Sequence, residues 1–190
     1  MPVDVPPPTV SLSDRWQLQT DKITTPFDNA IVTVQAHTCI FTDTELSAAI
    51  NTGEDAGSET TTTWRFVFAS RVQLSRSDSV SDSILKLVRN RAGSRFVDIL
   101  ERRGFSSIRK SDTRRFDRGE ETVPIQQYRA TVAPTANTTQ TPVEAYVVTW
   151  AQSQDIIIAG GAYPLSVPSH VQFNREQGRN ELFDIIRSVE

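Results

Sequence analysis

Apolar side chains recur at two spacings along this chain, every second residue in some stretches and every third or fourth in others. Residues 15–19 alternate polar and apolar, and after a break at residues 24–29 the Val-, Ile- and Thr-rich stretch 30–41 reads as a strand, so an opening hairpin is predicted. Thr42 or Asp43 stands where an N-cap belongs, ahead of a two-turn helix over residues 45–50 that Gly53 stops. Residues 54–63 are polar and Thr-rich and read as a loop. From Trp64 the period is two again: Trp64, Phe66 and Phe68 share one face, and Arg65, Val67 and Ala69 share the other.

The Ser-rich residues 75–79 offer caps for the clearest helix. Val80, Ile84, Leu85, Leu87, Val88, Ala92, Phe96, Ile99 and Leu100 keep a 3.6 period straight through Gly93, which predicts one long helix with a weakened middle. Arg102 and Arg103 fall in its last turn, where cations suit the carbonyl end, and Gly104 supplies a left-handed cap. Strands follow at 105–116 and 122–133, then a hairpin at 144–151 and 155–163 in which Tyr146, Val148 and Trp150 oppose Ile156, Ile157 and Ile158. Pro164 and Pro168 end it, and Asn174 caps a final helix whose stripe is Leu182, Ile185, Ile186 and Val189.

Short turns between consecutive strands demand antiparallel pairing, and two amphipathic helices need sheet faces to cover. The expected fold is therefore α+β, an antiparallel sheet flanked by helices in an α/β/α sandwich. A flexible Pro-rich arm is expected at residues 1–12, with a single domain at 13–190. This order resembles the Mog1/PsbP-like fold, in which an antiparallel sheet lies between a helix before the meander and a helix at the C-terminus. More locally, Arg103-Gly104-Phe105, the run from Gly119-Glu120-Glu121 to Tyr128-Arg129-Ala130, and Ala145-Tyr146-Val147-Val148 leading to Ile158-Ala159-Gly160-Gly161-Ala162-Tyr163-Pro164 resemble uncharacterised haloarchaeal proteins. That similarity covers roughly residues 64–189. Those proteins often carry a lipoprotein anchor, a pattern from which this sequence departs, since it has no leader and Cys39 sits inside a predicted strand. The resemblance implies a binding or accessory domain and carries over no catalytic residue.

Charge changes the picture more than composition does. Residues 86–118 hold eleven Lys or Arg against four Asp or Glu, a local +7 in a chain whose total is -3, so the remainder sums to -10. On the long helix Arg91, Arg95 and Arg102 form a stripe that Asp98 partly neutralises. Downstream, Arg109, Lys110, Arg114, Arg115 and Arg118 cluster on a strand and its turn, with Asp112 and Asp117 interspersed. These eight are the candidate surface for an anionic partner. The partner expected is another protein; nucleic acid is the weaker alternative, because Phe96, Phe105 and Phe116 read as core rather than as stacking platforms. Seventeen of the twenty basic residues are Arg, a skew that codon bias explains.

Other chemistry is sparse. His37 and Cys39 share a strand face with Asp43 close behind, the minimum for a thiolate nucleophile or part of a metal site, so a small-ligand or hydrolase pocket near His37, Cys39 and the Tyr163 end of the hairpin is the alternative reading. Cys39 reads more simply as a small core residue. With one cysteine there is no internal disulfide, and no nucleophile elbow, phosphate loop or paired-histidine zinc motif occurs, so no catalytic residue, cofactor or metal is assigned and the chain is not read as an enzyme. Gly160-Gly161 reads as a bulge or a close backbone approach. No apolar run is long enough to cross a bilayer. The chain as written reads as cytoplasmic, and as cell-surface or exported if a native leader precedes it; Asn137-Thr138-Thr139 would then be a glycosylation acceptor.

Overall fold

A computed structural model describes residues 5–28, 33–51, 62–75, 80–133 and 139–190. Its elements are β1 (Trp16–Asp28), β2 (Thr33–Asp43), α1 (Thr44–Asn51), β3 (Phe66–Leu74), α2 (Asp82–Arg102), β4 (Phe105–Arg118), β5 (Glu121–Val132), β6 (Thr141–Gln152), β7 (Asp155–Pro164) and α3 (Arg175–Arg187). The strands form one seven-stranded sheet in the order β1-β2-β3-β7-β6-β5-β4, and every neighbouring pair is antiparallel. The first three strands are laid down in sequence. Then α2 carries the chain across to the far edge, and the β4 to β7 meander returns to meet β3.

The period-two pattern assigns the faces. Phe66 and Phe68 pack with Phe96 and Leu100 of α2 and with Leu46 and Ile50 of α1. Val67 and Ala69 pack instead with Leu182, Ile185 and Ile186 of α3. Successive strand residues thus serve opposite layers, and the α/β/α sandwich follows. Trp150 and Tyr146 belong to the α3 layer, whereas Val143, Ala145 and Val147 belong to the α2 layer.

Several element ends differ from their sequence reading for local reasons. β1 runs on through Pro26, because the ladder skips from Thr24 opposite Ala36 to Phe27 opposite Val34, and a proline at an edge-strand bulge owes no ladder donor. The cap of α2 is Ser81, whose Oγ accepts from the Ile84 N–H; residues 76–79 lie outside the described set, as do Gly53 and most of the 54–63 stretch. α1 starts as expected, with Asp43 Oδ1 accepting from the Leu46 N–H at 3.0 Å. Asn174 caps α3 by accepting from the N–H groups of Glu176 and Gln177. Gly93 lies inside α2 where the helix comes close to the sheet: an added Cβ would meet Gln126 Oε1 at 2.7 Å.

The proline-rich arm is anchored over its described part. Thr9 exchanges two backbone hydrogen bonds with Glu190, at 2.7 and 3.0 Å, like a short added strand. Val5 is 1% exposed, and Val10 and Leu12 pack on the α3-side core. Residues 5–12 therefore cover sheet that α3 leaves open.

Candidate functional site

The eight basic residues singled out by sequence do not form one surface. Arg91, Arg95 and Arg102 are exposed on α2. On β4 the register divides the rest: Lys110 lies opposite Tyr128 and Arg115 opposite Pro124, on the α2 side, whereas Arg109 lies opposite Arg129 and Arg114 opposite Ile125, on the α3 side. Arg118 is half-buried against the fold. Its guanidinium lies 4.3 Å from the Trp150 ring centre and donates to Gln152 and to the Val189 carbonyl, securing the end of α3. Arg114 is paired with Asp112 at 2.9 Å, a contact that holds the Asp112 carboxyl below the usual range. Asp98 makes no ion pair with the helix stripe among the described residues. Charge on this outermost strand also has a plain role in blunting a sheet edge. Phe96, Phe105 and Phe116 are all buried, so the basic segment presents none of them as a stacking platform.

The structure places a groove of about 700 Å³ elsewhere, where the β1-β2 end of the sheet meets α1 and the C-terminus of α2. Its lining consists of Arg102 and Arg103, the hydroxyl residues Thr20, Thr42, Thr44, Ser47, Thr62 and Thr63, with Gln19 and Ala48. Arg103 is the distinctive member. Its guanidinium folds down to 4.9 Å from the Phe66 ring centre and reaches Thr42 Oγ1 at 3.5 Å. No carboxylate pairs with it among the described residues, and burial pushes its pKa down. A helix C-terminus accounts for a cation at this place. It does not account for one partly desolvated and, among the described residues, without a carboxylate partner, a state that an incoming anion relieves.

His37, Cys39 and Tyr163 are not brought together. His37 lies opposite Arg71, which in turn lies opposite Ile157, whereas Tyr163 is six residues further along β7, roughly 20 Å at strand spacing. His37 is held on both sides: Nδ1 lies 2.7 Å from the Val5 carbonyl and Nε2 2.5 Å from Asp21 Oδ1. Burial, followed by the Asp21 charge, pushes the Cys39 thiol up, the reverse of what a reactive thiolate needs. Asp43, close behind in sequence, is engaged instead with Arg15 and Arg65.

Residues 2–190 match a family described as a domain of unknown function, DUF6517. The chain belongs to that family. No curated protein gives a sequence match. In this DUF6517 chain no helix of the described residues is long and apolar enough to cross a membrane.

Two buried polar networks of the DUF6517 fold were hidden from sequence reasoning. In the first, Arg65, assigned correctly to the face of Val67 and Ala69, is 1% exposed; it donates to Asp43 at 3.1 Å, to Glu181 at 2.9 Å and to the Gly178 carbonyl at 3.2 Å. In the second, Glu144 accepts from the hydroxyls of Tyr146 and Tyr163 and pairs with Arg129 at 3.0 Å. Burial, with Glu144 adjacent, pushes both tyrosine pKa values up. Arg103 was legible as a helix-end cation but not as a site residue, because Phe66 and Thr42 come to it from distant sequence.

Proposed function

We propose that this chain is a non-catalytic interaction domain whose Arg102/Arg103 groove takes a carboxylate-bearing segment of a protein partner. The observation that carries the reading is Arg103, a partly buried guanidinium with no carboxylate partner among the described residues, set among hydroxyl donors. Two guanidinia and the hydroxyls of Thr20, Thr42, Thr62 and Thr63 suit the planar, many-lone-pair carboxylate, those of Thr44 and Ser47 already donating to the Arg15 and Asp43 carbonyls. A protein rather than a small ion is favoured because β1, which supplies Gln19 and Thr20 to the groove, is an edge strand bearing the exposed apolar residues Leu18 and Ile23. A segment lying along that edge contacts both the strand and the groove. The resemblance of the element order to the Mog1/PsbP-like fold, whose members mostly act as binding or accessory domains, points in the same direction. So does the engagement of the obvious catalytic groups: both nitrogens of His37 are occupied, Cys39 is a protonated thiol, and Glu144 is held by two phenols and Arg129.

Fluorescence anisotropy of a labelled hexaglutamate peptide tests it. Arg103→Met is expected to weaken binding at least tenfold, Arg114→Met to leave it unchanged, and affinity to fall with added salt. Equal losses in the two variants would mean a diffuse basic surface, and absence of binding at low salt would remove the groove from consideration.

A further inference from the structure

We propose that Asp21, His37 and Cys39 form a site for one divalent transition-metal ion, with zinc(II) the best match to their mixed oxygen, nitrogen and sulfur donors. Cys39 lies directly opposite Asp21 in the β1-β2 ladder, and His37 follows two residues away on the same face. One ligand atom from each falls within 4.8 Å of the other two. The second observation concerns the outer contact of the histidine. Nδ1 is held at 2.7 Å by the Val5 carbonyl, which can only accept, so Nδ1 carries a proton and Nε2 faces the cluster. A backbone carbonyl behind a ring nitrogen is the usual support of a metal-bound imidazole.

Size fits as well. Tetrahedral zinc with bonds of about 2.0 to 2.3 Å sets its donors about 3.2 to 3.8 Å apart. Asp21 Oδ1 is 2.5 Å from His37 Nε2 and 4.0 Å from Cys39 Sγ, so a movement of Asp21 of about 1 Å or less satisfies these two spacings; the third, between Nε2 and Sγ, is within 4.8 Å and closes by side-chain rotation of His37 and Cys39. The Asp21 side chain is 55% exposed and free to make it. Among the described residues there is no fourth ligand in the group, which leaves that position to water.

The ligand set also suits the charge of a divalent ion. The loaded site holds M²⁺, a neutral imidazole, a carboxylate and a thiolate, the thiol proton leaving as the Sγ–metal bond forms and any proton on Nε2 leaving as that nitrogen takes the ion. Arg71, opposite His37 on β3, is paired with Asp155, and Lys22 belongs to the other sheet face. Bound metal would fasten β1 to β2 beneath residue 5 of the arm.

The test is cobalt(II) titration of the full chain after chelator dialysis, with zinc(II) as competitor. Expected are one ion per chain, a thiolate-to-cobalt charge-transfer band, and proton release on binding. Cys39→Ser should abolish the band. Asp21→Asn, an exposed change whose thermal midpoint serves as a folding control, should weaken affinity at least tenfold, and Arg103→Met should leave the titration unchanged. No uptake by the wild-type chain, or uptake indifferent to both Cys39→Ser and Asp21→Asn, overturns the proposal.

Discussion

A Cβ added at Gly160 falls on the Tyr146 carbonyl oxygen and within 2.8 Å of Phe68 Cε1, and one added at Gly161 falls on the Phe66 carbonyl oxygen and within 2.8 Å of Leu182 Cδ1. The pair is therefore a double close approach, Gly160 making room for Phe68 of β3 on one sheet face and Gly161 for Leu182 of α3 on the other. Gly104 is glycine for a different reason: its φ of +84 favours no side chain, yet nothing lies within 4 Å of an added Cβ. The two positions should separate in urea denaturation. Gly160→Ala is expected to cost about 3 kcal/mol, because backbone cannot yield, and Gly104→Ala about 1 kcal/mol for left-handed strain alone. Equal costs would contradict the packing account. The sequence showed the glycine pair and its bland meaning; it could not show which carbonyls press on it.

At the scale of elements, most strands and all three helices were legible, since each buries one face and so imposes its period on the sequence. Asn174 and Gly104 were read correctly from cap chemistry. What was not legible is how elements meet. The register that sets Arg109 and Arg114 on one face and Lys110 and Arg115 on the other turns on irregularities between Ser106 and Arg109 and between Lys110 and Asp112, which no periodicity reveals. The same holds for Asp43, fully buried at the junction of β2 and α1, where it caps the helix and joins Arg15 to Arg65 at 2.8 and 3.1 Å. Removing its charge strands Arg65 in the interior. Asp43→Asn is expected to cost about 3 to 5 kcal/mol in chemical denaturation. A cost below 1 kcal/mol would show that Glu181 alone satisfies Arg65.

The whole molecule combines two helical layers with tyrosines that are all sealed in. Tyr128, Tyr146 and Tyr163 are the chain's three tyrosines, each at most 5% exposed and each with its pKa pushed up, burial being the first cause. A folded pKa above the unfolded one gives stability that is complete below the unfolded value of about 10 and is lost as pH rises through the folded values. Phenolate absorbance should thus appear only together with loss of the circular dichroism of the fold. A reversible titration near pH 10 with the fold intact would contradict the burial of these rings. Across the same molecule the basic segment resolves into an edge strand, an outer helix face and one partly buried cation at the groove. The most direct test is to follow the arginine side-chain Nε–Hε signals by NMR while hexaglutamate is titrated in. The account predicts saturable shifts of Arg102 and Arg103 with Arg114 and Arg115 unmoved; shifts confined to Arg114 and Arg115 would contradict it.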